Sequence, residues 1–285
     1  MRSRRYSRPC AERDRQSGFS LVELLVALGV TGIVLGAVVQ FFSQHAHAMR
    51  THTFRIETQQ ALRGALDAIA RDVRLAGACL PTNGDFVALD GTDSPDGDSI
   101  TIRTGLTRDN LSCVFGTTTA DAGAGTTTFT VDDGEDFVVD KLAYVRDPNG
   151  SGELFRVTGH GTNTVSVSPG AGQFYPAGST VYAVDQRRYT LDSGLDPPVL
   201  FLQIDWQEAV PFAAGIRELE ILYVLDQNCP TCDIIDLSSP IDTATWWLVN
   251  EVIVTAVAES VGGTRPGDFA TLTQTVRAKP RNLLP

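Results

Sequence analysis

The residues of this chain whose type and spacing most strongly suggest a chemical role are cysteines. Cys229 and Cys232 form a C-x-x-C motif, a spacing that occurs in redox-active dithiols, in zinc sites and in small disulfide loops. Redox or zinc chemistry would need a βαβ context or a second pair of metal ligands, and the sequence offers neither. We therefore favour two disulfides, Cys229 to Cys232 and Cys79 to Cys113, although the sequence leaves all three pairings of these four cysteines open.

Acidic loops are the second candidate for chemistry. One loop holds Asp226, Asp233, Asp236 and Asp242, and another holds Asp90, Asp93, Asp96 and Asp98. Carboxylate-rich loops can bind Ca²⁺, but neither loop has the EF-hand spacing, and a solvated acidic turn is the alternative interpretation. The sequence contains no G-x-S-x-G, H-E-x-x-H or phosphate-binding glycine motif. We therefore predict no catalytic residues, no enzyme activity and no cofactor apart from this calcium candidate.

A third candidate is Glu23, the only charged residue in the apolar run from Phe19 to Phe42. As a helix this run would extend about 36 Å, which is enough to cross a bilayer. An acid inside a membrane segment costs ~2.5 kcal/mol or more, so it favours a cationic partner. Cleavage between Gly18 and Phe19 would create an α-amino group four residues from Glu23, which could meet the carboxylate of a neighbouring subunit. In a plain signal anchor, the alternative, Glu23 would instead reach the headgroups.

Charge asymmetry predicts the topology of this segment. The first 18 residues carry six arginines and two acids, a net charge of +4. Because the whole chain has a net charge of -11, the remainder of the chain has a net charge of -15. Basic residues before the span and few just after it predict a single-pass topology with a cytoplasmic N-terminus and an exported head. The acidic head lacks the basic surface that nucleic-acid binding requires, so we predict no direct contact with nucleic acid.

The segment GFSLVELLVAL, from Gly18 to Leu28, resembles the prepilin cleavage and methylation motif of type IV pilins and type II secretion pseudopilins. The resemblance implies that a membrane peptidase cuts after Gly18 and methylates Phe19, and that Glu23 is the assembly carboxylate. Cys10 would leave with the leader. The leader of 18 residues is long beside those of major pilins, which shifts the expected subtype towards minor subunits. A second departure from the family is that no proline interrupts the anchor.

Two glycines in the anchor are candidates for helix packing. Gly32 and Gly36 form a small-xxx-small pair that would let another helix approach closely. The alternative is that membrane helices are simply rich in glycine.

Beyond Phe42 the apolar residues Leu62, Leu66, Ile69 and Val73 follow a helical period. They predict an amphipathic continuation of the helix that ends near Gly77. We therefore divide the chain into a leader (1–18), a transmembrane half-helix (19–42), an amphipathic half-helix (43–77) and a β-rich periplasmic head (78–285). The predicted fold class is α+β and pilin-like, with a long N-terminal helix packed on a β-rich head.

The remainder of the chain alternates short β-type runs with turn residues. Ten strands are predicted: 99–103, 126–131, 137–146, 154–158, 164–167, 180–190, 199–206, 218–225, 246–258 and 269–278. The segments 85–98 and 117–128 are predicted to be mobile loops.

Looser motifs resemble the PilW-like minor pilins, namely ALRGALDAIARDVRLAG in the helix and IRELEILYVLD, VNEVIVTAVAES and TQTVRAKPRNL in the last third. This resemblance implies a minor pilin that primes pilus assembly at or near the tip. The implied partners are prepilin peptidase, other minor pilins, the major pilin, the inner-membrane assembly platform and a tip adhesin. The alternatives are a J-like minor pseudopilin of a type II secretion system and a signal-anchored periplasmic enzyme or ligand-binding protein.

Overall fold

The computed structural model describes residues 20–82, 85–94, 97–107, 112–225, 234–236, 248–261 and 269–282. The chain divides into two compact units, Met1–Arg50 and Thr51–Pro285. One long helix, α1, runs from Leu21 to Leu75. The described residues also form fourteen strands, all of them in the second unit.

In the first unit, α1 is apolar on all sides. The stretch Leu21–Ala46 is long and apolar enough to cross a membrane, and none of it is buried within the chain. At 1.5 Å per residue its 26 residues extend about 39 Å. Exposing so many large aliphatic side chains to water would be unfavourable, so this surface requires an apolar environment.

In the second unit, α1 is amphipathic. The four residues that the helical period singled out are fully or almost fully buried: Leu62, Leu66, Ile69 and Val73. The helix ends at Leu75, and Gly77 then adopts a positive φ of 75° and donates its N–H to the carbonyl of Arg103. A residue with a Cβ would be strained at this φ, which is why glycine follows the helix end.

The strands have the following bounds: β1 Leu89–Thr92, β2 Ser99–Thr104, β3 Phe115–Thr117, β4 Thr128–Thr130, β5 Leu142–Arg146, β6 Gly152–Gly161, β7 Thr164–Ser168, β8 Thr180–Asp192, β9 Val199–Ile204, β10 Val210–Ala214, β11 Ile216–Leu225, β12 Ile234–Asp236, β13 Val249–Val261 and β14 Phe269–Ala278. Ten of them join one sheet, whose main path is β1-β2-β8-β5-β6-β7-β4. The other four form a second sheet in the order β12-β11-β13-β14.

The long strand β8 organises the ten-stranded sheet. Its first part, from Thr180 to Val184, pairs with β3 and β5. Its second part pairs with β2 from Asp185 and with β9 from Arg187. All these pairings are antiparallel, so one strand supports two groups of neighbours along its length.

The described residues of the head form two hydrophobic cores. The larger one contains the buried face of α1, the second part of β8 with its neighbours, and the inner face of the four-stranded sheet. The smaller core lies among β4 to β8 and is dominated by the aromatic residues Phe129, Phe137, Phe155 and Tyr175. These aromatic side chains are at most 2% exposed.

The predicted fold class, a long N-terminal helix packed on a β-rich head, is confirmed, since the second half of α1 is buried against the sheets. The prediction of a loop over 85–98 is wrong at Leu89–Thr92, because this segment forms β1 against β2. The predicted loop 117–128 is also paired in part, since Ala122 exchanges two backbone hydrogen bonds with Tyr175. The strand predicted from Phe137 begins only at Leu142, because Asp140 takes a positive φ of 68°.

Candidate functional site

Ser20 lies directly before α1 and hydrogen-bonds to its first turn. The Ser20 carbonyl accepts the N–H of Glu23 at 3.0 Å, and the Ser20 hydroxyl oxygen accepts the N–H of Val22 at 3.3 Å. Ser20 is therefore the N-cap of the helix, and with Glu23 three residues later it has the spacing of a capping box. The sequence analysis missed this role of Ser20, although the S-x-x-E pattern signals it. Gly18 and Phe19 lie outside the described residues.

Glu23 lies in the first turn of α1 and is exposed. Around it are the exposed aliphatic side chains of Leu21, Val22 and Leu24. A carboxylate in the first turn is favoured by the helix dipole, but that effect is small beside the cost of placing an acid in an apolar environment. What this arrangement can do chemically is accept a cationic group from outside the helix.

The glycines of the anchor leave open space on the helix surface. Gly29, Gly32 and Gly36 are spaced by three and four residues, so they lie along one side of α1. A Cβ added at any of the three would meet nothing within 4 Å. The surface therefore offers a stripe on which a second helix could lie close, and the packing role of Gly32 and Gly36 stays a prediction.

Two of the predicted disulfide cysteines lie within the described residues of the head. Cys79 and Cys113 are joined by a disulfide with a Cα–Cα distance of 5.4 Å, which is the pairing that the sequence analysis favoured. It closes a separation of 34 residues after the end of α1. The other predicted pair, Cys229 and Cys232, lies outside the described residues.

The acidic clusters give no described metal site. Asp226 and Asp233 lie outside the described residues, and Asp236 is the last residue of β12. In the other cluster the Asp98 carboxylate accepts the N–H of Ile221 at 2.7 Å and so joins the two sheets. Within the ranges that the structure describes, no three His, Cys, Asp or Glu residues are grouped closely enough to hold a metal ion.

A buried charged network, missed by the sequence analysis, connects α1 to the ten-stranded sheet. Asp72 of α1, 4% exposed, accepts the Tyr189 hydroxyl at 2.7 Å and lies 3.5 Å from the Arg187 guanidinium. Arg187 lies 3.6 Å from Asp185. The alternation of Asp185, Arg187 and Tyr189 with outward residues along β8 is the signal that could have revealed it.

Lys141 extends this network to a second buried carboxylate. Its ammonium donates to Asp205 at 2.7 Å and to Asp185 at 3.3 Å. Burial raises the pKa of Asp205, although the bonds from Lys141 and from the Gln186 N–H act in the opposite direction. Burial alone would lower the pKa of Lys141, but its bonds to Asp205 and Asp185 outweigh burial and raise it. The pair thus fixes the end of β9 against the start of β5.

Comparisons with known proteins bear on the N-terminal segment. Residues 13–39 match the model of the prokaryotic N-terminal methylation motif. Over 61 residues the chain is 34% identical to the pilin-like protein PilA3 of Thermus thermophilus, which is 21% of this chain and 26% of that protein. The chain thus matches about a quarter of the length of this curated relative. The N-terminal segment is therefore similar to that of type IV pilin-like proteins.

Among solved structures, the type IV-like pilin TTHA1219 from Thermus thermophilus is similar to this chain, with a TM-score of 0.38 and 11% sequence identity. The alignment covers 79% of this chain and 97% of that one.

Proposed function

We propose that this type IV pilin-like chain is a minor pilin that is cut by prepilin peptidase and assembled into a type IV pilus. The observation that carries the proposal is the exposed apolar surface of Leu21–Ala46, which overlaps the methylation motif matched over residues 13–39 and contains the single acid Glu23. This surface buries nothing within its own chain, so other helices or lipid must cover it. Incorporation into a bundle of like helices would cover it and would supply the cation that Glu23 favours.

The order of events follows from the helix start. Ser20 begins α1 two residues after Gly18, so cleavage there would leave Phe19 and the capping residue at the new N-terminus. The methylated amino group of Phe19 would then be able to approach the Glu23 carboxylate of a neighbour. Before cleavage, the arginines of the leader hold the N-terminus in the cytoplasm and leave the head in the periplasm.

The position as a PilW-like minor subunit at or near the tip draws support from the fold of the last third. The motifs that resemble PilW-like subunits correspond to β11, β13 and β14, which are neighbours in the four-stranded sheet. This sheet packs into the same core as the second half of α1. The resemblance therefore concerns one connected part of the head and not scattered segments.

Intact-mass spectrometry tests the processing step. The full chain is extracted from membranes of cells with and without prepilin peptidase. We expect a peptidase-dependent loss of residues 1–18 and one added methyl group on Phe19. A Gly18→Ala variant should stay unprocessed, and a Gly29→Ala variant should be processed normally because this glycine lies beyond the motif's cleavage point. An unprocessed wild-type chain in the presence of peptidase would refute the proposal.

Site-specific crosslinking separates the pilus from the type II secretion alternative, because both share the anchor. A photoreactive residue in place of Val39, an exposed side chain of the anchor, should capture other pilins in a strain that makes type IV pili. Capture of secretion pseudopilins alone would assign the chain to the second system.

A further inference from the structure

One face of the ten-stranded sheet is covered by hydrogen-bonding side chains. It is the face opposite to Tyr189, which points towards α1. The strand register places Asp90, Thr101, Arg188 and Gln203 side by side across β1, β2, β8 and β9. These four residues lie at outward positions, because their neighbours Ile102, Tyr189 and Leu202 point into the larger core.

This polar row lines a cavity of about 390 Å³. Its other walls are formed by Leu142 and Leu154 from β5 and β6 and by Trp206, which follows β9. The volume lies within the range of about 300–1,000 Å³ that is common for small-molecule sites. A cavity with apolar walls and convergent polar groups has the composition of a binding site.

Trp206 is exposed to 54% and is held on a fixed turn. The turn is closed by the Gln207 N–H, which donates to the Ile204 carbonyl at 2.9 Å. The preceding Asp205 accepts the Gln186 N–H at 2.8 Å and the Lys141 ammonium at 2.7 Å. The indole is therefore presented by a turn that is bonded on both sides. A tryptophan side chain has only two rotatable χ angles, so it loses little conformational entropy when a ligand packs on it.

The polar groups beside Trp206 are also preorganised. Arg103 donates to the Gln186 side chain and to the Val87 carbonyl, both at 2.8 Å. The Arg188 side chain is exposed, and no hydrogen bond or ion pair joins its guanidinium to a described residue. Its guanidinium is thus free to donate to a ligand, while the neighbouring Arg103 is already engaged.

We propose that this cavity binds a saccharide. A sugar ring has apolar C–H faces that can pack on the Trp206 indole, and its hydroxyl groups both donate and accept. Arg188 can only donate, and the Asp90 carboxylate, which lies 3.9 Å from the Arg103 guanidinium, can only accept. The Gln203 amide already donates one N–H to the Gln207 carbonyl at 3.0 Å, which leaves its oxygen and its second N–H for a ligand. Together these groups match adjacent hydroxyl groups of a sugar. A nucleic acid is disfavoured by the net charge of -11. An apolar peptide segment would leave the row of polar groups without partners.

The test uses the full chain in a detergent without a sugar headgroup, titrated calorimetrically with three probes: chitotetraose, cellotetraose and tetragalacturonate. We expect saturable binding of at least one probe. Trp206→Ala and Arg188→Ala should each weaken it by ~10-fold or more, as is usual for central aromatic and arginine residues. Phe174→Ala removes an aromatic side chain of similar exposure, 56%, outside the cavity and should bind like the wild type.

Thermal unfolding of each variant checks that the head is intact. Absence of binding of all three probes, or equal binding by wild type and Trp206→Ala, would overturn the proposal. So would a Trp206→Ala variant that binds sugars normally but no longer contacts partner pilins, because the face would then be a protein interface.

Discussion

The hydroxyl of Tyr189 on β8 donates a hydrogen bond of 2.7 Å to the carboxylate of Asp72 on α1, and both side chains are buried. With the Arg187 guanidinium, 3.5 Å from the same carboxylate, this bond forms a directional polar contact between the helix and the sheet, beside the apolar residues of the larger core. Because an unpaired buried carboxylate is costly, the bond favours one placement of the helix over others that would bury the same apolar area. Burial, followed by the charge of Asp72, raises the pKa of this tyrosine.

Tyr189→Phe should therefore destabilise the head by ~1–3 kcal/mol, because Asp72 loses the hydrogen bond from the Tyr189 hydroxyl but remains buried. The measurement is thermal or denaturant unfolding of the full chain in detergent. Tyr182→Phe is the matched control on the same strand, since its hydroxyl makes no hydrogen bond to a described residue. Equal midpoints for the two variants would show that the bond to Asp72 contributes nothing.

Lys141→Met should destabilise the head by ~1–3 kcal/mol near neutral pH. This is less than the effect of breaking a fully buried ion pair, because the lysine side chain is 34% exposed. The Asp205 carboxylate, which is 0% exposed, would lose its cation. Its pKa, already raised above the ordinary value of 3.8, should rise further.

The pH dependence of this defect has a defined sign. A raised pKa in the folded state means that ionisation of Asp205 opposes folding. The free-energy cost of burying the ionised carboxylate is fully present above the folded-state pKa, and it is absent below 3.8, where Asp205 is protonated in both the folded and the unfolded chain. The stability difference between wild type and Lys141→Met should shrink as the pH falls towards 3.8. Arg156→Met, which breaks the exposed pair with Asp140, should change stability by less than ~0.5 kcal/mol at any pH. A gap that grows in acid would contradict this account.

Replacing Cys79 and Cys113 together by serine should lower the stability of the head by ~2–4 kcal/mol, because the bridge closes a separation of 34 residues in the unfolded chain. Unfolding should be followed with and without reductant. Reduction should lower the midpoint of the wild type far more than that of the double variant. If both respond equally to reductant, then another thiol pair is responsible.

Glu23→Val should leave cleavage intact but reduce incorporation into pili by ~10-fold or more, which corresponds to a loss of ~1.4 kcal/mol. The variant should accumulate in the membrane in processed form, as judged by comparing sheared pili with membrane fractions. Glu57→Val changes an exposed acid of α1 outside Leu21–Ala46 and should be incorporated normally. Normal incorporation of both variants would remove Glu23 from the assembly step.

Local periodicity was enough to predict α1 and most of the strands. Leu62, Leu66, Ile69 and Val73 lie on one buried face because burial requires the period that their spacing shows. Strands were missed where the local sequence argues against them. β1 has the turn-like sequence Leu-Asp-Gly-Thr, and β10 contains Pro211 beside a bulge. Both form because a neighbouring strand supplies backbone partners, which no local pattern records.

Some residues of the candidate sites could be predicted from the sequence, and others become visible only in the fold. Glu23 and the glycines of the anchor stand out in sequence because an acid and small residues are conspicuous in an apolar run. The contact of Asp72 with Tyr189 joins residues 117 positions apart, and Trp206 becomes prominent only once β9 and its turn place it beside Arg188. Such pairs depend on strand register, which the sequence does not give in advance.

The shared strand β8 has a consequence for how the head comes apart. Since Thr180–Val184 supports one group of strands and Asp185–Asp192 the other, neither group can open fully without releasing backbone amides of the same strand. We expect the amides of β8 to exchange with deuterium among the slowest in the protein, and those of both groups to exchange with a common opening free energy. The two cores would then behave as one cooperative unit, so force or heat applied to either would be resisted by both.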